Sequence, residues 1–219
     1  MLSNGLYVVI DMAVRAVDHP IATRHRKTLI LGAFREDSGV LPILKIVYPY
    51  LSLTHFYRPG LPGGFVPFLL PGPRFRSTRL FNRALGEFKK GREASAFVHL
   101  GRALHFLIDM ACPVHAQRVI HVRDPYEWAV EGGFSELRQL PAAPVGPHES
   151  VAGLVESMAR ITQRFPADTT SHAWGWLMRR LGFRHRVPAA EARLQARELI
   201  PVAAGHAAEL LRLFFRKAA

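Results

Sequence analysis

Apolar residues recur at steps of three and four along most of this chain, the spacing that lines one face of an α-helix. The first such stripe is formed by Leu6, Val9, Ile10, Ala13, Val14 and Val17, and His19-Pro20 follows it as a stop. Helical patterning returns at residues 23–35, 77–90, 93–111, 126–131, 149–164, 168–181 and 189–216. No stretch shows the sustained alternation of apolar and polar residues that marks a half-buried strand. The sequence therefore predicts an all-α, multi-helix bundle.

The length of 219 residues, with a mass of 24.5 kDa, is enough for one domain with a substantial core and leaves little room for two. We therefore expect a single domain over residues 1–219. Residues 37–73, between the second and third predicted helices, are rich in Pro, Gly and aromatic residues and predict a long structured loop. A connection of that length inside a domain usually has a function. Residues 141–147 predict an extended linker.

The chain is basic, with 29 Lys and Arg residues against 17 Asp and Glu residues and a formal net charge of +12. Such a positive field attracts phosphate-bearing partners, including nucleic acid and anionic lipid surfaces. A generally Arg-rich proteome would explain the same charge, so the charge does not choose a partner. No protein partner is indicated.

The first twenty residues predict an amphipathic helix, because Asp11, Arg15 and Asp18 interrupt the apolar run that a signal peptide or a membrane span would need. Cys112 is the one cysteine, so no intrachain disulfide can form and the redox compartment stays open. No base stands beside it in a nucleophile pattern, and we expect a small buried residue at a helix end. Localisation is left open.

His105 and Asp109 form the most informative pair in the sequence. A step of four residues turns a helix by about 400°, so both side chains project from nearly the same face and could hold one cation. Pro113 then ends the helix and frees His115 to turn back toward the same cavity. Imidazole and carboxylate are suitable zinc ligands. A hydrogen-bonded intrahelical pair with His115 as a cap would explain the same residues, so the pair alone does not establish a metal site.

Three motifs give this pair a context. The segment LHFLIDMACPVHA, residues 104–116, resembles the zinc-binding helix of the bacterial zinc-dependent phospholipases C, whose fold is shared with the fungal single-strand-specific nucleases. THFYRPG, residues 54–60, is similar to the family's His-Phe-Tyr-x-Pro segment and places a ligand at His55. In GAFREDSG, residues 32–39, Asp37 falls on a family aspartate that binds metal and orients the attacking water. The motifs occur in the family's order within residues 1–131.

The resemblance implies two metal sites. The first would be held by Asp37, His55, His105 and Asp109. The second would be held by His115 with a downstream His and Glu, for which the best candidates are His121 and Glu127.

The second site departs from the family pattern, which places this His four residues before the acid. His121 and Glu127 are six residues apart, about 600° of helix, so they would lie on opposed faces of a continuous helix. Pro125 must then mark a helix start, with His121 in the preceding loop. Asp124 is either a fallback ligand or an N-cap. The alternative for this segment is solvated loop residues.

The relatives hold a third metal with an N-terminal Trp and a nearby His. Gly5 stands at about the place of that His, and no Trp lies near the start. We therefore expect one or two zinc ions and no third site.

The implied function is phosphodiester hydrolysis by zinc-activated water, with Asp37 as the catalytic residue. The apolar loop LPGGFVPFLLPGPR, residues 61–74, and the absence of disulfide cysteines favour a phospholipase C-like enzyme. Residues 61–76 could contact a membrane surface, with Arg74, Arg76 and Arg79 meeting headgroup phosphates, or the loop could pack inward on the core. A single-strand nuclease and a metal-stabilised, non-catalytic relative remain alternatives.

Overall fold

The computed structural model describes residues 3–38, 53–61, 63–64, 68, 70–119, 121, 124–169 and 185–219. This part of the chain contains ten α-helices and one 3₁₀ turn, Leu53–His55, and it contains no strand. The helices are α1 (Ser3–Val17), α2 (Pro20–Arg24), α3 (Arg26–Ser38), α4 (Pro73–Lys89), α5 (Glu93–Asp109), α6 (Pro113–Ala116), α7 (Pro125–Gly132), α8 (Phe134–Leu137), α9 (Val151–Thr162) and α10 (Ala189–Ala218). The predicted all-α class is confirmed, whereas the single domain over 1–219 stays a prediction.

Two of the predicted helix boundaries are wrong. The helix expected at 23–35 is two helices, α2 and α3, separated at His25. The His25 ring stacks on Phe97 with centroids 4.5 Å apart, and its Nε2 lies 2.9 Å from Glu93 Oε2, so contacts with α5 hold this junction. Helix α4 begins at Pro73, four residues before the predicted start, because proline is well suited to the first position of a helix. The predicted helix at 168–181 falls largely in 170–184, outside the described residues.

Helix α5 lies at the centre of the fold and packs most extensively against α3 and α4. Its backbone approaches α3 very closely, which two glycines permit. A Cβ atom on Gly101 would lie 2.0 Å from the carbonyl oxygen of Leu29, and one on Gly32 would lie 2.3 Å from the carbonyl oxygen of Val98. This crossing fixes α5, which carries two of the predicted metal ligands, against the rest of the core.

The N-terminal stretch is helical, as predicted, and residues 8–14 are buried on every side of the helix. Asp11 is buried on α1, and it is neutralised by Arg26, whose Nη1 lies 2.6 Å away, and by Arg15, whose Nε lies 3.4 Å away. None of the helices in the described ranges combines the length and apolarity needed to cross a bilayer.

Helix α10 spans 30 residues and packs along α1. It continues through Pro201, and the preceding linker follows its surface: the amide of Ala143 donates to the carbonyl oxygen of Pro201 over 2.9 Å. Residues 141–148 have no regular secondary structure, so the predicted extended linker is confirmed.

Candidate metal centre

Three of the predicted ligands of the first metal meet at one buried point. His55 Nδ1 lies 2.6 Å from Asp109 Oδ2, and His105 Nε2 lies 3.1 Å from the same oxygen. The two ring nitrogens are 3.1 Å apart. All three residues are buried. Two imidazoles and a carboxylate thus converge from two distant segments of the chain.

Local structure explains how these side chains meet. His105 and Asp109 occupy the last two turns of α5, four residues apart and on one face. His55 ends the 3₁₀ turn, and the next residues are fixed by a hydrogen bond from the amide of Tyr57 to the carbonyl oxygen of His115, 3.0 Å long. The His55 ring also packs on Phe106, with centroids 4.9 Å apart. A turn far away in sequence is thereby held against the end of α5.

The cluster has dimensions suited to one zinc ion. Tetrahedral zinc with ligands at about 2.0–2.1 Å separates its ligand atoms by about 3.3 Å. The three observed separations, 2.6, 3.1 and 3.1 Å, are shorter, so the ligand atoms would need to open by about 0.2–0.7 Å. Each residue offers one atom, and these atoms all lie within 4.8 Å of one another.

Asp37, the fourth predicted ligand, falls in the last turn of α3, but its side chain lies outside the described residues. The neighbouring Glu36 is engaged elsewhere. Its carboxylate pairs with Arg76 Nη2 at 3.1 Å and with the guanidinium of Arg102 on α5. This pairing ties the end of α3 to α4 and α5, close to the metal cluster.

The predicted ligands of the second metal also come together. His121 Nε2 lies 3.3 Å from Glu127 Oε2, and His115 Nε2 lies 4.0 Å from Glu127 Oε1. The His115 and His121 rings have centroids 5.0 Å apart. Their side chains and that of Glu127 are only 8–11% exposed, so these are not solvated loop residues. Whether they bind metal stays a prediction.

The local structure of this segment is the one that the spacing predicted. Pro125 is the first residue of α7, and His121 precedes that helix. Asp124 is the N-cap, and its Oδ2 accepts a hydrogen bond of 3.1 Å from the amide of Glu127. The cap orients the first turn of α7, so Glu127 points inward toward His115.

Cys112 is a neighbour that the sequence reasoning missed. It was expected to be buried at a helix end, and it is, as the N-cap residue of α6. Its thiol also belongs to the second cluster, because potential ligand atoms of Cys112, His115 and Glu127 lie within 4.8 Å of one another. The two clusters adjoin, since His115 Nδ1 lies 3.7 Å from Asp109 Oδ2. The one available signal was the position of Cys112 between Asp109 and His115.

Known proteins similar to this chain are found both by sequence and by structure. No family model matches the sequence. A stretch of 88 residues is 27% identical to phospholipase C of Listeria monocytogenes, covering 39% of this chain and 30% of that protein. The solved structures that match include alpha-toxin of Clostridium absonum, with TM-score 0.63 and 16% identity, and alpha-toxin of an avian strain of Clostridium perfringens, with TM-score 0.64 and 14% identity.

The resemblance to phospholipase C is confirmed. The structural matches cover 97% and 100% of this chain. They cover 66% and 64% of the toxin chains, so this chain spans less than two thirds of the proteins it matches. At these identities the two structures establish the fold of this phospholipase C-like chain and leave its activity to be argued from the site.

Burial sets the electrostatics of the phospholipase C-like site. Burial lowers the pKa of His115 to about 4, although Asp109 acts in the opposite direction, so its imidazole is neutral at neutral pH. Burial alone would raise the pKa of Asp109, but His105 and His115 hold it well below its ordinary value. Neutral imidazole and ionised carboxylate are the protonation states that a zinc site requires.

Two acidic groups beside the second cluster, Asp124 and Cys112, differ from Asp109 in the direction of their pKa shift. Burial raises the pKa of Asp124 to about 6. Burial, together with Asp124 and Glu127, raises the pKa of the Cys112 thiol well above its ordinary value. Burial alone would also raise the pKa of Glu127, but His121 and His115 hold it well below its ordinary value. Negative charge is thus disfavoured on Asp124 and Cys112 and favoured on Glu127.

The loop that follows His55 in this phospholipase C-like fold has both buried and exposed apolar side chains. Leu70 is buried, whereas Phe68 is 88% exposed and Leu61 and Phe75 are also exposed. The loop is anchored beside the second cluster by Arg118, whose Nη2 donates to the carbonyl oxygens of Leu61 and Gly63 at 3.3 Å. Inward packing is therefore seen at Leu70, whereas contact with a membrane surface stays a prediction. Arg76 is already engaged within the protein rather than available for a headgroup phosphate. It pairs with Glu36, and its guanidinium lies 4.9 Å from the centroid of the Phe106 ring.

Proposed function

We propose that this chain is a zinc-dependent phosphodiester hydrolase of the phospholipase C type, with one or two zinc ions. The observation that carries the proposal is the buried convergence of His55, His105 and Asp109, with the His115 cluster directly beside it. Zinc at these positions would polarise a phosphoryl oxygen and lower the pKa of a bound water to near neutrality. The sequence match to a protein named phospholipase C supports the same reaction class.

Each protein group has a distinct task in this proposal. Asp37, His55, His105 and Asp109 would hold the first ion, and His115, His121 and Glu127 would hold the second. Asp37 would also orient the attacking water. Burial keeps His115 neutral, so one of its ring nitrogens has a lone pair for coordination at neutral pH. Gly5 is buried and offers no side-chain ligand, which supports the absence of a third site.

The proposed substrate is a phospholipid presented at a membrane surface. Leu61, Phe68 and Phe75 expose apolar groups on the loop and helix that follow His55. Arg74 and Arg79 on α4 are exposed near Phe75 and carry positive charge. Apolar insertion flanked by arginines is the combination that favours an anionic lipid–water interface. Residues 61–76 would thus bring the site to its substrate.

The experiment compares two substrates and two variants. The purified chain is assayed for zinc by elemental analysis, for phosphorylated headgroup released from phospholipid vesicles, and for nucleotides released from single-stranded DNA. We expect headgroup release, abolished in His105→Ala and retained in His99→Ala, a matched change on the same helix outside the described clusters.

The other outcomes overturn this proposal in distinguishable ways. Release of nucleotides without headgroup release, with a steep loss of DNA binding in salt, would identify the chain as a nuclease. Bound zinc with neither product would identify a metal-stabilised protein without this activity. Absence of bound zinc would show that these residues do not form a zinc site.

A further inference from the structure

Cys112 lies at the junction between the two ligand clusters. Its amide donates to the carbonyl oxygen of Asp109 over 3.0 Å, and its own carbonyl oxygen accepts from the amide of His115 over 3.1 Å. The side chain is fully buried. Backbone hydrogen bonds therefore fix the thiol between a ligand of the first metal and a ligand of the second.

The sulfur lies among potential metal ligands, and its thiol donates a hydrogen bond to Asp124 Oδ2 over 3.7 Å. Cys112, His115 and Glu127 each offer one atom, and these three atoms lie within 4.8 Å of one another. Among the residues that the structure describes, this is the group that contains both His115 and Glu127, and its third member is the cysteine rather than His121. Thiolate, imidazole and carboxylate are all zinc ligands, with Zn–S distances of about 2.3 Å.

An independent observation at His115 also indicates a ligand. The His115 side chain is only 8% exposed, and its Nδ1 has no hydrogen-bond partner among the described residues. The nearest carboxylate oxygen, Asp109 Oδ2, is 3.7 Å away, beyond hydrogen-bonding distance. A buried polar nitrogen left in this state costs free energy, which a cation bound to His115 would offset. The other ring nitrogen, Nε2, lies 4.0 Å from Glu127 Oε1.

We propose that Cys112 Sγ is a ligand of the second metal ion, together with His115 and Glu127. The proposal rests on the proposed function only in requiring that a divalent cation binds. On binding, a sulfur–metal bond forms, the thiol proton leaves to solvent, and nothing is oxidised or reduced. The thiolate would join His115, His121 and Glu127 as a further protein ligand of this ion; His121 Nε2 lies 3.3 Å from Glu127 Oε2.

Cobalt substitution tests this proposal with a signal that belongs to one residue. Cys112 is the one cysteine of the chain, so any sulfur-to-cobalt charge-transfer band must come from it. The full chain is stripped of metal and refilled with Co²⁺. We expect visible d–d bands together with an intense near-ultraviolet charge-transfer band. Cys112→Ser should remove the near-ultraviolet band and keep d–d absorption from the first site. Ala111→Ser, which adds the same hydroxyl at the adjacent buried position and keeps the thiol, should retain both.

The outcomes separate this proposal from the proposed function. Cobalt d–d absorption without a charge-transfer band in the unaltered chain overturns ligation by Cys112 and leaves the metal enzyme standing. Absence of all cobalt absorption overturns both. If Cys112→Ser does not fold, X-ray absorption of the unaltered zinc protein decides: a sulfur scatterer at about 2.3 Å is expected, and a shell of nitrogen and oxygen alone overturns the proposal.

Discussion

His55 Nδ1 lies 2.6 Å from Asp109 Oδ2, although 54 residues separate the two in sequence. The contact joins a short turn to the C-terminal end of α5, and neither element could form the cluster alone. The position of α5 in the core therefore determines whether the ligands meet. Changes at distant helix crossings should affect metal binding as well as folding.

The close crossing of α3 and α5 gives the first prediction. Gly101→Ala should lower the free energy of unfolding by about 3 kcal/mol or more, because overpacking typically costs about 1–3 kcal/mol and the added Cβ would lie 2.0 Å from the Leu29 carbonyl oxygen. Zinc affinity should fall with it. Denaturant unfolding and zinc titration measure the two effects.

Gly86→Ala is the matched control, because a Cβ there meets nothing within 4 Å and the residue lies inside α4. It should raise the free energy of unfolding by about 0.5–1 kcal/mol through helix propensity. Equal stability of Gly101→Ala and the unaltered chain would show that the two helices do not cross as described.

Local chemistry made part of this site predictable. The four-residue step placed His105 and Asp109 on one face, and Pro125 marked the start of α7, since both features depend on backbone geometry within one helix. The resemblance supplied His55, which no local rule could place beside Asp109.

Other features depend on tertiary packing and could not be read from the sequence. The break at His25 is held by contacts with Glu93 and Phe97, far along the chain. The approach of Cys112 to Glu127 depends on how α7 packs against α10 and α1. Periodicity reports which face of a helix is buried, and it does not report what that face will meet.

The N-cap of α7 gives the second prediction. Asp124→Ala removes the acceptor for the Glu127 amide and should lower the free energy of unfolding by about 1 kcal/mol. The first turn of α7 would fray, so binding of the second zinc should weaken while the first is retained. Asp124→Asn keeps a capping oxygen and should retain most of the stability. Equal loss of the second zinc in both variants would instead mark the Asp124 carboxylate as a ligand.

Stability should fall as the pH falls through the range in which His206 titrates. Burial lowers the pKa of His206 in the folded chain, although its hydrogen bond to the Val202 carbonyl oxygen opposes this, and His148 nearby adds to the lowering. The unfolded chain, with an ordinary histidine pKa of about 6.5, then takes up the proton first, so stability present above about pH 6.5 is lost below it.

His206→Gln replaces the imidazole with an amide that does not titrate. Thermal unfolding at about pH 7 and about pH 5, on either side of the ordinary histidine pKa, should show a smaller loss for this variant than for the unaltered chain. An identical loss in both would exclude His206 as a source of the pH dependence.

Exposure of Phe68 gives a prediction about the lipid surface. Phe68→Ser should reduce binding to anionic vesicles and hydrolysis of vesicle phospholipid, and it should leave hydrolysis of a soluble short-chain phospholipid unchanged, because the side chain is 88% exposed. Leu194→Ser removes a comparably exposed apolar group from α10 and should change neither activity. An equal loss on both substrates would place Phe68 in the site rather than at the membrane.

Zinc content and thermal stability of His105→Ala test the central claim most directly. The unaltered chain should bind one or two zinc ions, and His105→Ala should lose at least one of them along with the rise in melting temperature that zinc confers, because ligand binding stabilises only the folded state. His99→Ala should keep the same zinc content as the unaltered chain. An unchanged zinc content and an unchanged melting temperature in His105→Ala would contradict the account.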